Sequence, residues 1–202
     1  MTFLTNYALD AETIKLNAYY LLCLFFTNKE IARQANPESH DDALSLLEHQ
    51  FFASEVTKLL LNIAISLRVL DDQINHLPCD SPQKRAYLQA LLDVNNRYNC
   101  TMFDRLSLRE VCNKIIHATN TEPHMQDASD PHQIDEHNSL EWSEAMEQSG
   151  GKAGPKPDFV KWQHLSCRIR LAGTQRGVEW ACLLEVPVFV EAVYTLLNQQ
   201  KT

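Results

Sequence analysis

Arg109, Asn113 and His117 follow one another at i, i+4 and i+8. On a helix, i+4 neighbours share a face, so guanidinium, amide and imidazole form a ladder about 12 Å long. The types suit work on a phosphodiester: a cation to offset charge on phosphate, an amide to orient, and an imidazole that titrates near neutrality. The same three residues on a helix surface also serve as structural hydrogen-bonding groups, and spacing alone leaves both readings open.

The helix that carries them is well signalled. Ser107 and Glu110 form the Ser-x-x-Glu capping box, which predicts a helix starting at Leu108. Leu108, Val111, Cys112, Ile115 and Thr119 recur at helical spacing and give it one buried face. Upstream, Asp10 is a plausible N-cap for a helix to about residue 34, closed by Asn36-Pro37. The bulky residues from Ala18 to Phe26 call for burial on more than one side, by the body of the domain or by a second subunit. Residues 41–75 hold the longest helical pattern, with Leu44, Leu47, Phe51, Leu59, Ile63, Leu67 and Leu70 down one side. That is about 50 Å of helix, the length of a bundle spine. Glu48, Glu55 and Asp71 on this helix are candidates to neighbour the motif. Ser81 as N-cap, with Pro82 at the first helical position, opens a further helix to about Tyr98.

Beyond the motif helix the character changes. Residues 120–158 are polar, Pro-bearing and acidic, and read as a surface insertion with a short helix around Leu140 to Met146. His124, His132 and His137 lie here near Asp127 and Asp130, but their spacing fits no zinc pattern, so no metal is expected. From His164 the period becomes two. Leu165, Cys167, Ile169 and Leu171 alternate with polar neighbours, Gly173 to Gly177 is turn chemistry, and Trp180, Cys182 and Leu184 alternate again. This predicts a β-hairpin with His164, Arg168 and Arg170 on its polar side and Arg176 in the turn. Pro187 opens a closing helix, Val188 to Asn198.

The expected fold is therefore mainly α: an up-and-down helical bundle with a C-terminal β-hairpin and closing helix. It forms a single domain over 1–202, divided into a bundle core (1–119), a polar insertion (120–158) and the hairpin with its helix (159–202). Composition sets limits on partners. The 202 residues are 45% apolar, with only five glycines, enough for a real core. No apolar run reaches membrane-spanning length and no signal-peptide pattern opens the chain, so a cytoplasmic location is expected. Six cysteines without a C-x-x-C pair read as reduced core residues. A net charge of −8 argues against wholesale electrostatic binding of nucleic acid, though not against a local basic site.

The phrase Leu-Arg-Glu-Val-Cys-Asn-Lys-Ile-Ile-His-Ala, residues 108–118, resembles the late helix of HEPN domains, all-helical domains of many prokaryotic RNase toxins and antiviral effectors. The long helix before it is also similar, so the resemblance covers about residues 41–119. The family signature is an Arg, four to six residues, then a His, often with Asn directly after the Arg. Here Cys112 stands directly before Asn113, and the nearest upstream arginine, Arg109, has seven residues between it and His117. The resemblance implies a cofactor-free, metal-independent endoribonuclease of a toxin or antiviral-defence system. His117 would be its general acid or base, Arg109 would stabilise phosphate charge, and Asn113 would orient one or the other. Lys114, Arg105, Arg168 and Arg170 are the candidate contacts to RNA. The implied partners are RNA, an antitoxin or effector protein, and a second copy forming a homodimer. A degenerate HEPN-like module that binds without cutting, and a plain helical interaction protein, are the other two readings.

Overall fold

The structure, a computed structural model, describes residues 10–35, 42–151 and 161–199. The Asn36-Pro37 break and the last residues of the expected insertion, 152–158, lie outside the described residues. Six helices and three strands are described: α1 (Ala11–Gln34), α2 (Ala43–Asn75), α3 (Pro82–Arg97), α4 (Leu108–His117), β1 (Asn120–Asp127), α5 (Gln133–Gln148), β2 (Gln163–Gln175), β3 (Val178–Glu185) and α6 (Val186–Gln199). The molecule is mainly helical, with a small antiparallel sheet ordered β1-β2-β3.

The helices start where their caps place them. The Asp10 carboxylate accepts from the Glu12 N–H at 3.0 Å, and Asp42 accepts from Leu44 and Ser45, both at 3.1 Å. Ser81 caps α3, with Pro82 at its start. At Ser107 both arms of the capping box form: its hydroxyl accepts from the Glu110 N–H at 3.3 Å, and its own N–H donates to the Glu110 carboxylate at 2.8 Å. The Glu110 carboxyl is consequently held below its ordinary pKa, first by the Ser107 hydroxyl and then by the Ser107 N–H.

The core lies where α1 packs on α2, α6 and β2, and α4 on α2 and β2. Phe25, Leu60, Ile63, Val111, Ile169, Leu184, Phe189 and Leu196 are among its fully enclosed side chains. The expected hairpin is β2–β3, with Gly173 opposite Trp180 and Leu171 opposite Cys182. Gly173 is required by its neighbours: a Cβ there would sit 2.7 Å from Trp180 Cζ2 and 2.8 Å from the His117 carbonyl oxygen.

Three expectations are corrected. The 120–158 stretch is not a bare insertion, because β1 pairs antiparallel with β2 and makes the hairpin a three-stranded sheet. Its sequence hides this: β1 is an edge strand, exposed along nearly all its length, so no apolar alternation marks it, and Pro123 sits where an edge tolerates it. The helix around Leu140 to Met146 is the middle of the longer α5. His164 is not on a polar face. It is 6% exposed and lies against the buried Trp162 ring, 5.6 Å between centroids, so the side of β2 it occupies is covered at that end. His132, from the same stretch, is fully buried. Its Nε2 donates to the carbonyls of Ala35 at 2.8 Å and Ala32 at 3.2 Å at the end of α1.

Candidate functional site

α4 is fixed from three sides before its motif residues are placed. The Leu108 N–H donates to the Asn95 side-chain oxygen at the end of α3, at 2.8 Å. Leu108, Val111, Cys112 and Ile115 fill the core. Past the helix, the Thr119 N–H donates to the Ala172 carbonyl of β2 at 2.9 Å. Thr119 therefore starts the path into the sheet rather than extending the helical face.

Arg109 leaves α4 toward α2. Its Nε lies 3.2 Å from Asp71 Oδ2, and its Nη2 3.8 Å from Asp72 Oδ1. The same two carboxylates hold Arg68, with Nη1 2.7 Å from Asp71 Oδ2 and Nη2 3.4 Å from Asp72 Oδ1. Asp71 is 4% exposed, and its other oxygen accepts from the Tyr87 hydroxyl at 3.4 Å. Two cations thus face two anions, with the buried carboxylate hydrogen-bonded on both oxygens, as a charge in a low-dielectric interior needs. A void of about 10 Å³ beside Arg68, Asp71 and Arg109, walled otherwise mostly by apolar side chains such as Leu67, Leu91 and Leu108, is no larger than a single water. Burial, and then the Asp71 carboxylate, push the Tyr87 phenol up. Cys112, on the inner wall, is pushed up to about 12 by burial, so at neutral pH it is a thiol and a core residue, not a nucleophile. Of the three acids nominated on α2, Asp71 alone is placed against Arg109. Glu55 pairs with Lys58 at 3.2 Å, and Glu48 is half-buried near the start of α2.

The other motif residues do not join this network. Asn113 is half-buried and His117 exposed at the end of α4, and neither side chain takes a hydrogen bond among the described residues. Lys114 turns to the opposite flank, where its Nζ lies 4.0 Å from the centroid of the Trp180 ring, a cation–π contact. Arg105 donates to the Asn96 carbonyl at 3.0 Å, Arg168 pairs with Glu185 at 2.8 Å, and Arg170 pairs with Glu122 at 3.0 Å. Each basic residue nominated to hold phosphate has a partner within the chain.

The histidines of the 120–158 stretch are dispersed. His124 meets Ser166 at 2.9 Å, His137 meets Glu141 at 3.1 Å, and His132 caps α1. Among the described residues no group of three or more His, Cys, Asp or Glu is arranged to hold a metal ion. Arg68 was missed from sequence, although a signal existed. Asp71 falls on the Ile63–Leu67–Ile74 apolar stripe, and an acid there needs a cation nearby, which Arg68 supplies from one turn earlier.

Compared with protein-family models, curated proteins and solved structures, the chain matches none. No helix of the described residues is long and apolar enough to cross a membrane.

Proposed function

We propose that this chain is a HEPN-like binding and interaction module that recognises a protein partner through the exposed Asn113–His117 end of α4 and does not cleave RNA. The observation that carries this reading is the engagement of Arg109 by Asp71 and Asp72. An arginine neutralised by two carboxylates offers a phosphate little net charge, and withdrawing it would leave Asp71 buried beside Arg68 alone. The intramolecular pairing of Arg105, Lys114, Arg168 and Arg170 and the net charge of −8 support the same reading. One observation favours the endoribonuclease instead: the exposed, unpartnered imidazole of His117.

Digestion of total RNA and tRNA by purified protein, with EDTA present, separates the two. The module reading expects intact RNA from wild type and His117→Ala alike. Cleavage by wild type that is lost in His117→Ala, with thermal melts unchanged, would overturn it in favour of the toxin- or defence-type RNase.

A further inference from the structure

We infer that the hollow between the end of α1, the start of α2 and the paired ends of β1 and β2 binds a small organic cation through Glu48 and Asp127. The ligand class is a primary ammonium or guanidinium on a short apolar stem. The hollow holds about 520 Å³, within the roughly 300–1,000 Å³ of small-molecule sites. Ala32 and Ala35 reach it from the end of α1, and Ser45 and Glu48 from the first turns of α2. Asp127 comes from the end of β1, and Lys161 and Trp162 from the approach to β2. No residue of α4 lines it, so the inference is independent of the reading of α4.

Charge selects the ligand. Glu48 is half-buried and takes no hydrogen bond or ion pair among the described residues. Burial pushes its carboxyl above the ordinary value, with no cation to offset it. A carboxylate drawn partly out of water is costly unless paired, so an arriving cation recovers that cost. Asp127 is set by the ladder opposite Gln163, whose side chain donates to Asp127 Oδ1 at 2.8 Å. Its Oδ2 has no partner among the described residues. Lys161, exposed, is the one cation in the lining, so two carboxylates outweigh one ammonium. The carbonyl end of α1 adds partial negative charge, whereas the positive start of α2 is already met by the Asp42 carboxylate. Ala32, Ala35 and Trp162 supply an apolar wall for a stem. Among the described residues no third acid, His or Cys joins Glu48 and Asp127 as a metal ion would need, which favours an organic cation.

The test is calorimetric titration of the full chain, at low salt, with n-butylamine, agmatine and butyrate. Both amines are expected to bind with dissociation constants of roughly 1 mM or below, and butyrate not to bind. Glu48→Gln is expected to weaken amine binding at least tenfold and Asp127→Asn severalfold, with thermal melts unchanged. Glu179→Gln removes an exposed carboxylate from β3, changes the net charge equally, and is expected to leave binding as it is. No binding at about 10 mM amine, or wild-type affinity in Glu48→Gln, would overturn the inference. So would equal losses in Glu48→Gln and Glu179→Gln, which would mean diffuse attraction to a chain of net charge −8. Tighter binding of butyrate than of the amines would overturn it too, and would give the hollow to Lys161.

Discussion

On the α2 side of α4, Arg109 runs into a notch where Asp71 and Asp72 already hold Arg68. On the sheet side, Lys114 lies flat over the indole of Trp180. One helix of ten residues thus fixes two cations by different means, one by ion pairs to a buried and an exposed carboxylate, the other by an aromatic face. Between these flanks His117 stays exposed. The contrast shows that charge near a motif is not a site: a cation counts toward ligand binding only after its intramolecular partners have been subtracted. It also predicts unequal costs when each flank is cut.

The largest effect is expected at Asp71. Asp71→Ala leaves Arg68 and Arg109 facing one exposed acid and strips the Tyr87 hydroxyl of its acceptor. Breaking such a buried network costs about 3–5 kcal/mol, read as a lowered urea midpoint. A loss within that of an ordinary surface change would mean the notch is wet and Arg109 available.

Alkaline titration tests the dryness of the notch side next. Burial pushes Cys112 and Cys100 up to about 12, and an unfolded thiol loses its proton near roughly 8.5. For groups raised in the folded state, the stabilisation is complete below the unfolded value and is lost as pH climbs toward the folded one. Unfolding free energy should therefore fall above that lower value, by about 1.4 kcal/mol per pH unit for each thiol. Cys112→Ala should flatten the slope, whatever it does to the level. A slope unchanged in the variant would show that Cys112 is not shielded.

The sheet side should cost least. Lys114→Ala is expected to lose about 0.5–1 kcal/mol with a change in Trp180 fluorescence, and His117→Ala less than about 0.5 kcal/mol. A larger loss at His117 than at Lys114 in thermal melts would reverse the comparison and give the imidazole a structural role.

The helical part of the fold was legible because its signals are local: Asp10, Ser81 and the Ser107–Glu110 pair mark starts that need no tertiary contact. β1 was not legible, since a solvated edge strand is defined by its partner across the ladder and not by its own pattern. His132 and His164 were misjudged for a related reason, as a polar residue in a polar stretch gives no sign that a distant carbonyl or ring will enclose it. At the candidate site, the register of Arg109, Asn113 and His117 was readable, while Asp71 was one of three acids on α2 offered as neighbours with nothing in the sequence to choose among them. That Arg109 would be neutralised there depended on α2 and α4 crossing, which is a tertiary fact.

The first helix is finished by residues made long after it. Its last carbonyls are closed by His132, its Asn28 accepts from the Leu165 N–H at 2.7 Å, and its Lys15 donates to Asn198 at 2.6 Å. These partners lie 97, 137 and 183 residues along the chain. During synthesis, α1 therefore waits for residues made well after it before it is stitched down, and such long loop closures slow folding. Until then its inner apolar face, with Ile14, Ala18, Leu21 and Phe25, is bare, which makes α1 a segment that gains from chaperone cover while the chain is being made.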